Sequence, residues 1–399
     1  MKFAHLADCH IGGWRDQKMK DLPLTSFAYA INESISESVD FVLISGDLFN
    51  TSHPQIDSLK VVVKKLRELK EKHIQVYMVA GSHDFSATGK TIIDVLEEAG
   101  LIINVVRGDV IDSKLTLRFT VDKKTGAKIT GMLGKKGSLE KKYYDNLDTL
   151  MLEKENGFKI FMFHTSITEL KPKELERMES SPISMLPRGF DYYAGGHVHI
   201  VENKTLDGYK NVVYPGPTFP NSFSELEKLK TGGFYIYNNG HVNYTPIPLY
   251  LTQFLRFDAN NKLPELLNQE IIKSISDKEF TDKIVLLRFE GTLKSGKTSD
   301  IDFSKIFRTL YAKGAYFVMR NTSRLESKEF EEIQIKEDSV EKIEEKIMDE
   351  HKSGTNLFND EKDTIKHLMG VLSQEKNEDE KNSDYEKKII TELDKLLTQ

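Results

Sequence analysis

Five short polar motifs follow five apolar, strand-like stretches in the first half of the chain. In order, they are Asp8-Cys9-His10, Gly46-Asp47, Gly81-Ser82-His83-Asp84, His164 and Gly196-His197-Val198-His199. In an open α/β sheet, ligands gather outside the carboxyl ends of the strands, so motifs far apart in sequence can meet at one site. Carboxylate oxygens and imidazole nitrogens suit Mn, Zn or Fe. The pattern therefore predicts an α/β fold with a metal centre at one edge of a sheet.

Each motif taken alone also has a plain structural explanation. Strand-end histidines that are partly buried account for His197 and His199 as well as metal binding does, and an isolated His164 is more often a hydrogen-bonded core residue. The fixed order of all five motifs favours a shared site. Asp47 has two carboxylate oxygens with spare lone pairs, so it is suited to bridging two ions. Two ions about 4 Å apart can stabilise the attacking and leaving oxygens of a displacement at phosphorus.

This series of motifs resembles the calcineurin-like metallophosphoesterase superfamily. Within it, residues 1–12, Gly46-Asp47-Leu48-Phe49 and Tyr214-Pro215-Gly216 are most similar to the nuclease subunit of double-strand-break repair complexes, the branch that includes bacterial SbcD. The similarity covers residues 1 to about 245 and is thinner beyond. It implies a calcineurin-like β-sandwich flanked by helices, followed by a small α/β capping domain and a helical C-terminal tail.

The resemblance also implies a role for each motif residue. One ion would be held by Asp8, His10, Asp47 and His199, and the second by Asp47, Ser82, His164 and His197. The expected ions are two Mn²⁺, which would supply the nucleophile by lowering the pKa of bound water. His83 would protonate the leaving oxygen or stabilise charge on the phosphate, as suits a group whose ordinary pKa is near neutral. Asp84 would orient His83.

Two positions depart from the family pattern. Ser82 stands where the family usually has Asn, whose carbonyl oxygen binds the second metal, and the shorter Ser hydroxyl is expected to weaken that site. Asn50 stands where the family commonly has a His associated with positioning the substrate phosphate for exonucleolytic cutting. Nearby His53 is a possible substitute, which loop geometry decides. These departures affect the expected catalytic efficiency and leave the expected fold unchanged.

Composition is consistent with a soluble intracellular enzyme, and the resemblance implies a cytoplasmic, nucleoid-associated prokaryotic one. A length of 399 residues predicts two or more domains. The single cysteine, Cys9, excludes a disulfide framework and fits a reducing compartment, with a structural role expected for it. No apolar run approaches the roughly 20 residues that span a bilayer, and no signal peptide precedes the first strand, so no membrane partner is expected.

The net charge of −6 is unevenly distributed. Residues 331–399 hold 20 acidic and 11 basic residues, a net charge of −9, and the remaining chain carries +3. The body is thus only mildly basic, short of the footprint of a strong free-standing DNA-binding protein. A basic cluster of Arg15, Lys18 and Lys20 follows the first motif. It either holds phosphates beside the metals or is a solvated loop face.

The chain is predicted to form three parts. Residues 1–248 form the nuclease domain, and residues 249–330 read as strand, helix, strand, helix, strand without a metal motif. Residues 331–399 form an acidic linker and tail with helical apolar spacing at Val340–Ile347, Ile365–Leu372 and Tyr385–Leu397. The resemblance implies that the middle part is a capping domain for DNA recognition, with a purely structural appendage as the alternative. It also implies that the last helix binds the coiled coil of an SMC-like ABC ATPase, unless the helix folds back on its own chain.

These observations together predict a two-metal exo- and endonuclease acting on duplex and single-stranded DNA ends. The resemblance adds a homodimer formed through helices near residues 54–72 and 88–99. Two alternatives stay open. One is a phosphatase or small-molecule phosphodiesterase, because the same metal site serves both in the superfamily. The other is a scaffold that tethers DNA ends and has lost metal through Ser82.

Overall fold

The computed structural model of the chain describes residues 1–86, 89–327, 361–374 and 382–397. Two compact units divide the chain at Lys328, namely Met1–Lys328 and Glu329–Gln399. The strands of the first unit are β1 Lys2–Leu6, β2 Phe41–Ser45, β3 Gln75–Val79, β4 Ile103–Asn104, β5 Gly108–Ile111, β6 Lys114–Leu117, β7 Thr120–Val121, β8 Lys128–Gly131, β9 Lys159–His164, β10 Tyr192–Gly196, β11 Glu202–Leu206, β12 Tyr209–Tyr214, β13 Gly232–Asn238, β14 His241–Ile247, β15 Leu251–Asp258, β16 Lys283–Leu293 and β17 Phe317–Ser327. Its α-helices are α1 Gln17–Lys20, α2 Leu22–Ser36, α3 Ile56–Glu71, α4 Ile92–Glu98, α5 Lys141–Asp145, α6 Thr149–Lys154, α7 Phe223–Leu229, α8 Pro264–Ser276 and α9 Phe303–Ala312.

Two six-stranded sheets form the centre of the first unit. One has the order β14-β13-β1-β2-β3-β4 and the other β11-β12-β10-β9-β8-β7. Strands β1 to β4 run parallel, as do β8, β9, β10 and β12. The carboxyl ends of neighbouring parallel strands therefore lie along one edge of each sheet, where the polar motifs of the sequence occur.

The two sheets face each other across an apolar core. Phe3 stacks on Phe41 in this layer and meets Tyr192 of the second sheet edge-to-face. The outer face of the first sheet is covered by α2, α3 and α4 through residues such as Phe27 and Leu66. The other sheet buries Phe161 and Tyr193 beneath the segments around α5 and α6. This is the predicted β-sandwich flanked by helices.

A third sheet, of order β15-β16-β17, is parallel throughout and lies in the same compact unit. Helices α8 and α9 cover one face of it, burying Leu267, Ile271 and Leu310 against Leu287. The strand–helix–strand–helix–strand order predicted for this region is the observed one. The boundary predicted at residue 248 falls between β14 and β15 and stays a prediction.

The opposite face of the third sheet packs against the sandwich. Ile284 and Leu286 share a buried cluster with Met19 of α1 and Leu226 of α7. Lys18 belongs to this contact: the Tyr316 hydroxyl donates to its carbonyl oxygen at 2.6 Å. One residue of the basic cluster, Lys18, thus takes part in the packing against the third sheet.

Helices α3 and α4 each cover the first sheet with one apolar side. Val62 and Leu66 of α3 and Ile93 of α4 are buried there. Ile56 and Val95 of the same helices are 82% and 59% exposed. Apolar surface thus remains on the two helices that the resemblance assigns to a dimer interface.

The second unit contains two described helices, Glu361–Leu372 and Asn382–Leu397, which pack against each other. The Tyr385 hydroxyl donates to the carbonyl oxygen of Gln374 at 2.6 Å, which ties the second helix to the end of the first. The helix predicted around Val340–Ile347 lies outside the described residues. In the part of the chain that the structure describes, every helix is too short or too polar to cross a membrane.

Candidate metal centre

The carboxyl ends of β1, β2, β9 and β10 bring the predicted ligands together. Asp8 and Asp47 each come two residues after a strand, His164 is the last residue of β9, and His197 directly follows β10. Among the described residues, three groups of side chains have ligand atoms within 4.8 Å of one another. They are Asp8–His10–His199, His10–Asp47–His83 and Asp8–Asp47–His164.

Asp47 lies at the centre of these groups. Its Oδ2 is 3.2 Å from Nε2 of His164 and 3.6 Å from Nε2 of His10. Asp8 Oδ1 is 3.9 Å from Nδ1 of His164 and 4.0 Å from Nε2 of His199. Both carboxylates are almost fully buried. One carboxylate oxygen of Asp47 thus lies near two histidines from the carboxyl ends of strands in different sheets, which suits a bridging ligand.

His197 and Ser82 lie at the margin of this cluster. The imidazole of His197 is 5.1 Å from that of His164, between ring centroids, and its backbone N–H donates to both oxygens of Asp8 at 2.9 and 3.1 Å. The Ser82 hydroxyl donates to Asp47 Oδ2 at 3.4 Å. The backbone around His197 therefore holds Asp8, and the short side chain of Ser82 reaches only as far as the Asp47 carboxylate.

Hydrogen bonds at the far side of two rings fix the tautomers of these histidines. His164 donates from Nδ1 to the backbone carbonyl of Ser45 at 2.8 Å. His199 donates from Nδ1 to the Glu225 carboxylate at 3.2 Å. In both cases Nε2 is the ring nitrogen left facing the Asp cluster. This arrangement, in which the second ring nitrogen donates to a carbonyl or carboxylate, is typical of histidines that bind metals.

Burial and neighbouring charges separate the protonation behaviour of the histidines. Burial, together with the charges of neighbouring histidines, lowers the pKa of His10 and of His197 to about 3. Burial opposes the charge of His164 and His199 too. The charge of Asp47 nevertheless raises the pKa of His164 to about 10, and those of Asp8 and Glu225 raise the pKa of His199 to about 9. In the metal-free protein, protons on two histidines thus balance the buried carboxylates.

Five of the predicted ligands occupy the left-handed backbone region. The φ angles are 51° for Asp8, 41° for His10, 51° for Asp47, 99° for His197 and 54° for His199. Such conformations cost on the order of 1–3 kcal/mol each in non-glycine residues and persist only where surrounding structure imposes them. Their concentration at one strand edge indicates that the fold maintains strain to aim these side chains inward.

His83 reaches the cluster from the loop after β3. Its ring lies 4.8 Å from that of His10, and its Nδ1 donates to the backbone carbonyl of Asn50 at 2.8 Å. Its backbone N–H donates to Asp47 Oδ1 at 2.7 Å. This chain lacks the His side chain that the family commonly has at position 50. The backbone carbonyl of Asn50 nevertheless orients His83.

The hydrogen bonds described for Asp84 differ from the expected contact with the His83 ring. Its carboxylate accepts from the backbone N–H groups of Asp47 and Gly81 at 2.9 Å each, and of Phe49 at 3.4 Å. Asp84 is fully buried, and burial together with the charge of Asp47 raises its pKa to about 7. Its position suits a residue that ties the β2 and β3 loops together, and it orients His83 only through these loops.

His53 lies on the protein surface. Its Nδ1 is 3.1 Å from the Ser52 hydroxyl, and it belongs to none of the three groups of possible ligands among the described residues.

Glu225, the carboxylate that accepts a hydrogen bond from His199, was not predicted from the sequence. It lies in the first turn of α7, where Ser222-Phe223-Ser224-Glu225 fits a helix-capping pattern. That pattern predicts a helix start and gives no sign of the contact with His199. The backbone carbonyls of Ser45 and Asn50 were also missed, because a carbonyl leaves no trace in a sequence.

The residues present fit a divalent metal. His10 Nδ1 is buried without a hydrogen-bond partner, and Nε2 of His10 faces Nε2 of His199 at 2.9 Å. Buried polar atoms without partners are uncommon and call for a ligand or ion. Carboxylate and imidazole donors around these atoms form the set expected for a borderline divalent cation.

Comparison with known proteins identifies the origin of this arrangement. The family model described as calcineurin-like phosphoesterase matches residues 1–201, which contain all of the predicted ligands. The chain belongs to the calcineurin-like phosphoesterase family. The predicted superfamily, its sandwich fold and the class of metal-dependent phosphoesterase are thereby confirmed.

Several relatives carry the name DNA double-strand break repair protein Mre11. The one from Archaeoglobus fulgidus is 26% identical over 369 residues, covering 85% of this chain and 77% of the relative. The one from Methanococcus maripaludis is 29% identical over 247 residues, covering 59% of this chain and 62% of the relative. An uncharacterised metallophosphoesterase, YhaO of Bacillus subtilis, is 23% identical over 229 residues, covering 57% of this chain and 52% of the relative.

These alignments confirm the predicted resemblance to double-strand-break repair proteins of the superfamily. In the Methanococcus and Bacillus comparisons, the chain spans less than two thirds of the relative's length. Similarity to the Archaeoglobus protein extends beyond the family match and covers most of both chains.

Proposed function

We propose that this protein is a two-metal DNA nuclease that processes DNA ends, with Mn²⁺ as its metal. The observation that carries the proposal is the convergence of two buried aspartates with histidines from four strand ends, in which Oδ2 of Asp47 lies near both His10 and His164. Two divalent ions held there would lower the pKa of bound water and neutralise charge on a phosphodiester.

The proposed ligand sets keep the two-metal pattern. Asp8, His10, Asp47 and His199 would hold one ion, and Asp47, His164 and His197 the other, which the short Ser82 side chain would reach only through a water. The Ser82 hydroxyl reaches Asp47 only at 3.4 Å. Because Ser is shorter than the Asn that the family usually has at this position, we expect the second site to bind its ion more weakly.

His83 is the proposed proton donor to the leaving oxygen. Its Nδ1 hydrogen is engaged by the Asn50 carbonyl, which fixes the ring and leaves Nε2 as the atom that transfers a proton. Fixing a general acid in one orientation removes part of the entropic cost of reaching the transition state.

DNA is favoured as substrate over a small phosphodiester by the chain's organisation. A groove of about 730 Å³ beside His197 and His199 is bordered by α7 and by Arg324 of β17. The third sheet thus reaches the surface next to the candidate centre, which suits a substrate larger than a nucleotide. The similarity to repair proteins named Mre11 points the same way.

The proposed partners follow from exposed apolar surfaces. Ile56 of α3 and Val95 of α4 suit a homodimer contact. In the second unit, Leu372 and Ile390 of the paired helices are 62% and 57% exposed, which supports docking of this pair on an SMC-like ABC ATPase. A weakly charged body is consistent with DNA binding that depends on such a complex.

The decisive experiment is a Mn²⁺ titration of nuclease activity on end-labelled duplex and single-stranded DNA. Wild type is compared with Asp47→Asn, which keeps the shape of the side chain and removes its charge. Asp57→Asn, the same change on the exposed first turn of α3, is the control. Cleavage that depends on Mn²⁺, is lost in Asp47→Asn and persists in Asp57→Asn is expected.

Other outcomes would favour the alternatives. Hydrolysis of a chromogenic phosphodiester without DNA cleavage would make the protein a small-molecule phosphodiesterase. DNA binding that is equal in wild type and Asp47→Asn, with no cleavage at any Mn²⁺ concentration, would make it an end-tethering scaffold.

A further inference from the structure

Helix α7 contacts the candidate metal centre at one of its residues and the third sheet at another. Glu225, in its first turn, accepts a hydrogen bond from Nδ1 of His199 at 3.2 Å. Glu227, two residues further, forms an ion pair with Arg288 of β16, whose Nε donates to Glu227 Oε1 at 3.0 Å. A seven-residue helix thus bridges a predicted metal ligand and a strand of the third sheet.

The two oxygens of Glu225 have separate partners. Oε1 faces His199, and Oε2 accepts from the backbone N–H of Asn221 at 2.8 Å. The Ser222 hydroxyl accepts from the backbone N–H of Glu225 at 3.2 Å, which completes the helix start. The Ser222 hydroxyl thus contacts only the backbone of Glu225, whereas the Asn221 N–H orients the carboxylate that faces the ring of His199.

Arg288 is held on several sides. It is only 8% exposed, pairs with Glu227 through two nitrogens, and lies 5.3 Å from the ring centre of Phe223 in α7. A guanidinium paired in this bidentate manner has a defined geometry as well as a favourable charge interaction. One side chain of β16 therefore contacts α7 at its first residue and one turn further along.

We propose that Glu225 is a positioning residue for His199 and that Arg288 holds α7 in the orientation this requires. Because Glu225 engages Nδ1, His199 presents Nε2 to Asp8 and His10. The third sheet then contributes to metal binding without supplying a ligand, and any displacement of Arg288 loosens the first metal site. This proposal rests on the metal centre of the proposed function.

The test measures Mn²⁺ binding to the metal-free full-length protein by calorimetry. Glu225→Gln is expected to weaken binding about 10- to 100-fold, the usual effect of losing an outer partner of a metal-binding His. Ser222→Ala is the control for helix capping, because it removes the other half of the cap and leaves His199 untouched. It is expected to bind as wild type does.

A second pair of variants tests the link to the third sheet. Arg288→Met is expected to weaken Mn²⁺ binding less than Glu225→Gln. Arg256→Met, which removes an exposed arginine paired with Glu290 in the same sheet, is expected to have no effect. The double variant Glu225→Gln/Arg288→Met should bind no more weakly than Glu225→Gln alone, because both changes act through one contact.

A spectroscopic measurement separates positioning from a general structural role. Long-range ¹H–¹⁵N spectra of the metal-free protein should show the Nδ1 hydrogen of His199 held in a hydrogen bond in wild type and Ser222→Ala, and not held in Glu225→Gln, whether or not Nε2 also carries a hydrogen. Unchanged spectra and Mn²⁺ affinity in Glu225→Gln would overturn the proposal, as would an equal loss of affinity in Ser222→Ala. Equal affinities of Arg288→Met and Arg256→Met would overturn the link to the third sheet.

Wild type that binds Mn²⁺ without cutting DNA would contradict the nuclease function alone, and the variants would still decide the role of Glu225.

Discussion

Replacing Ser82 by Asn is expected to strengthen binding of the second metal ion. The Ser82 hydroxyl lies 3.4 Å from Asp47 Oδ2, a long hydrogen bond, and its side chain is almost buried. An Asn side chain extends one heavy atom further, by a carbonyl bond of about 1.2 Å. A cavity of about 510 Å³ bordered by Ser82, Phe85 and Lys135 gives the longer side chain room.

The expected gain follows from adding one neutral oxygen ligand to a set of histidines and a carboxylate. We expect Mn²⁺ to bind the weaker site about tenfold more tightly, equivalent to about 1.4 kcal/mol. Calorimetry on the metal-free protein measures the affinity directly. The Mn²⁺ concentration that gives half-maximal cleavage should fall by a similar factor, because occupancy of the second site limits activity.

Ser82→Ala is the matched control for this substitution. If the hydroxyl makes no direct bond to the metal, Ser82→Ala binds Mn²⁺ as wild type does, whereas Ser82→Asn binds it more tightly. The reasoning is refuted if Ser82→Asn gains no affinity while its unfolding temperature is unchanged. It is also refuted if Ser82→Ala loses as much affinity as a variant that lacks a histidine ligand, since the hydroxyl would then already be a ligand.

Three further predictions concern the same strand edge. His83→Ala should lower DNA cleavage about 10²- to 10⁴-fold, the usual contribution of a general acid, with Mn²⁺ affinity unchanged by calorimetry; a matching loss of affinity would make His83 a ligand instead. Asp84→Ala should destabilise the metal-free protein by about 3 kcal/mol or more in urea unfolding, because three backbone N–H groups lose their acceptor, and a loss below about 1 kcal/mol would show that water replaces the carboxylate. Mn²⁺ binding should release protons and tighten as the pH rises from about 6.5 to 9, because metals bind deprotonated histidines and the pKa values of His164 and His199 are raised to about 10 and about 9. Calorimetry in buffers of different ionisation enthalpy counts those protons, and affinity that does not depend on pH would contradict the raised values.

Much of the candidate centre could be predicted from the sequence because its ligands are side chains of distinctive type. Asp8, Asp47 and His164 each follow an apolar stretch, and parallel strands bring such positions to one edge. The strand–helix alternation of residues 251–327 was likewise visible in apolar periodicity. Periodicity was sufficient there because both kinds of element bury one face.

Contacts made by backbone groups, and contacts between distant elements, could not be predicted in this way. The carbonyls of Ser45 and Asn50 orient His164 and His83, yet every residue has a carbonyl. The contacts of Asp84 were assigned to its sequence neighbour, whereas the structure directs them to backbone N–H groups of two loops. The hydrogen-bonding direction of a carboxylate depends on loop geometry that a motif does not encode.

The sequence by itself determined the ligand chemistry, the family and the order of the elements, because side-chain type and apolar spacing are local properties. Tertiary structure alone decided which nitrogen of each histidine faces the carboxylates, since that depends on partners such as Glu225, 26 residues away from His199 in the chain. It also imposed the left-handed backbone of Asp8 and Asp47, at an energetic cost that only packing of the whole sandwich can offset. Local sequence thus determines which ligand atoms are present, and long-range packing determines their orientation.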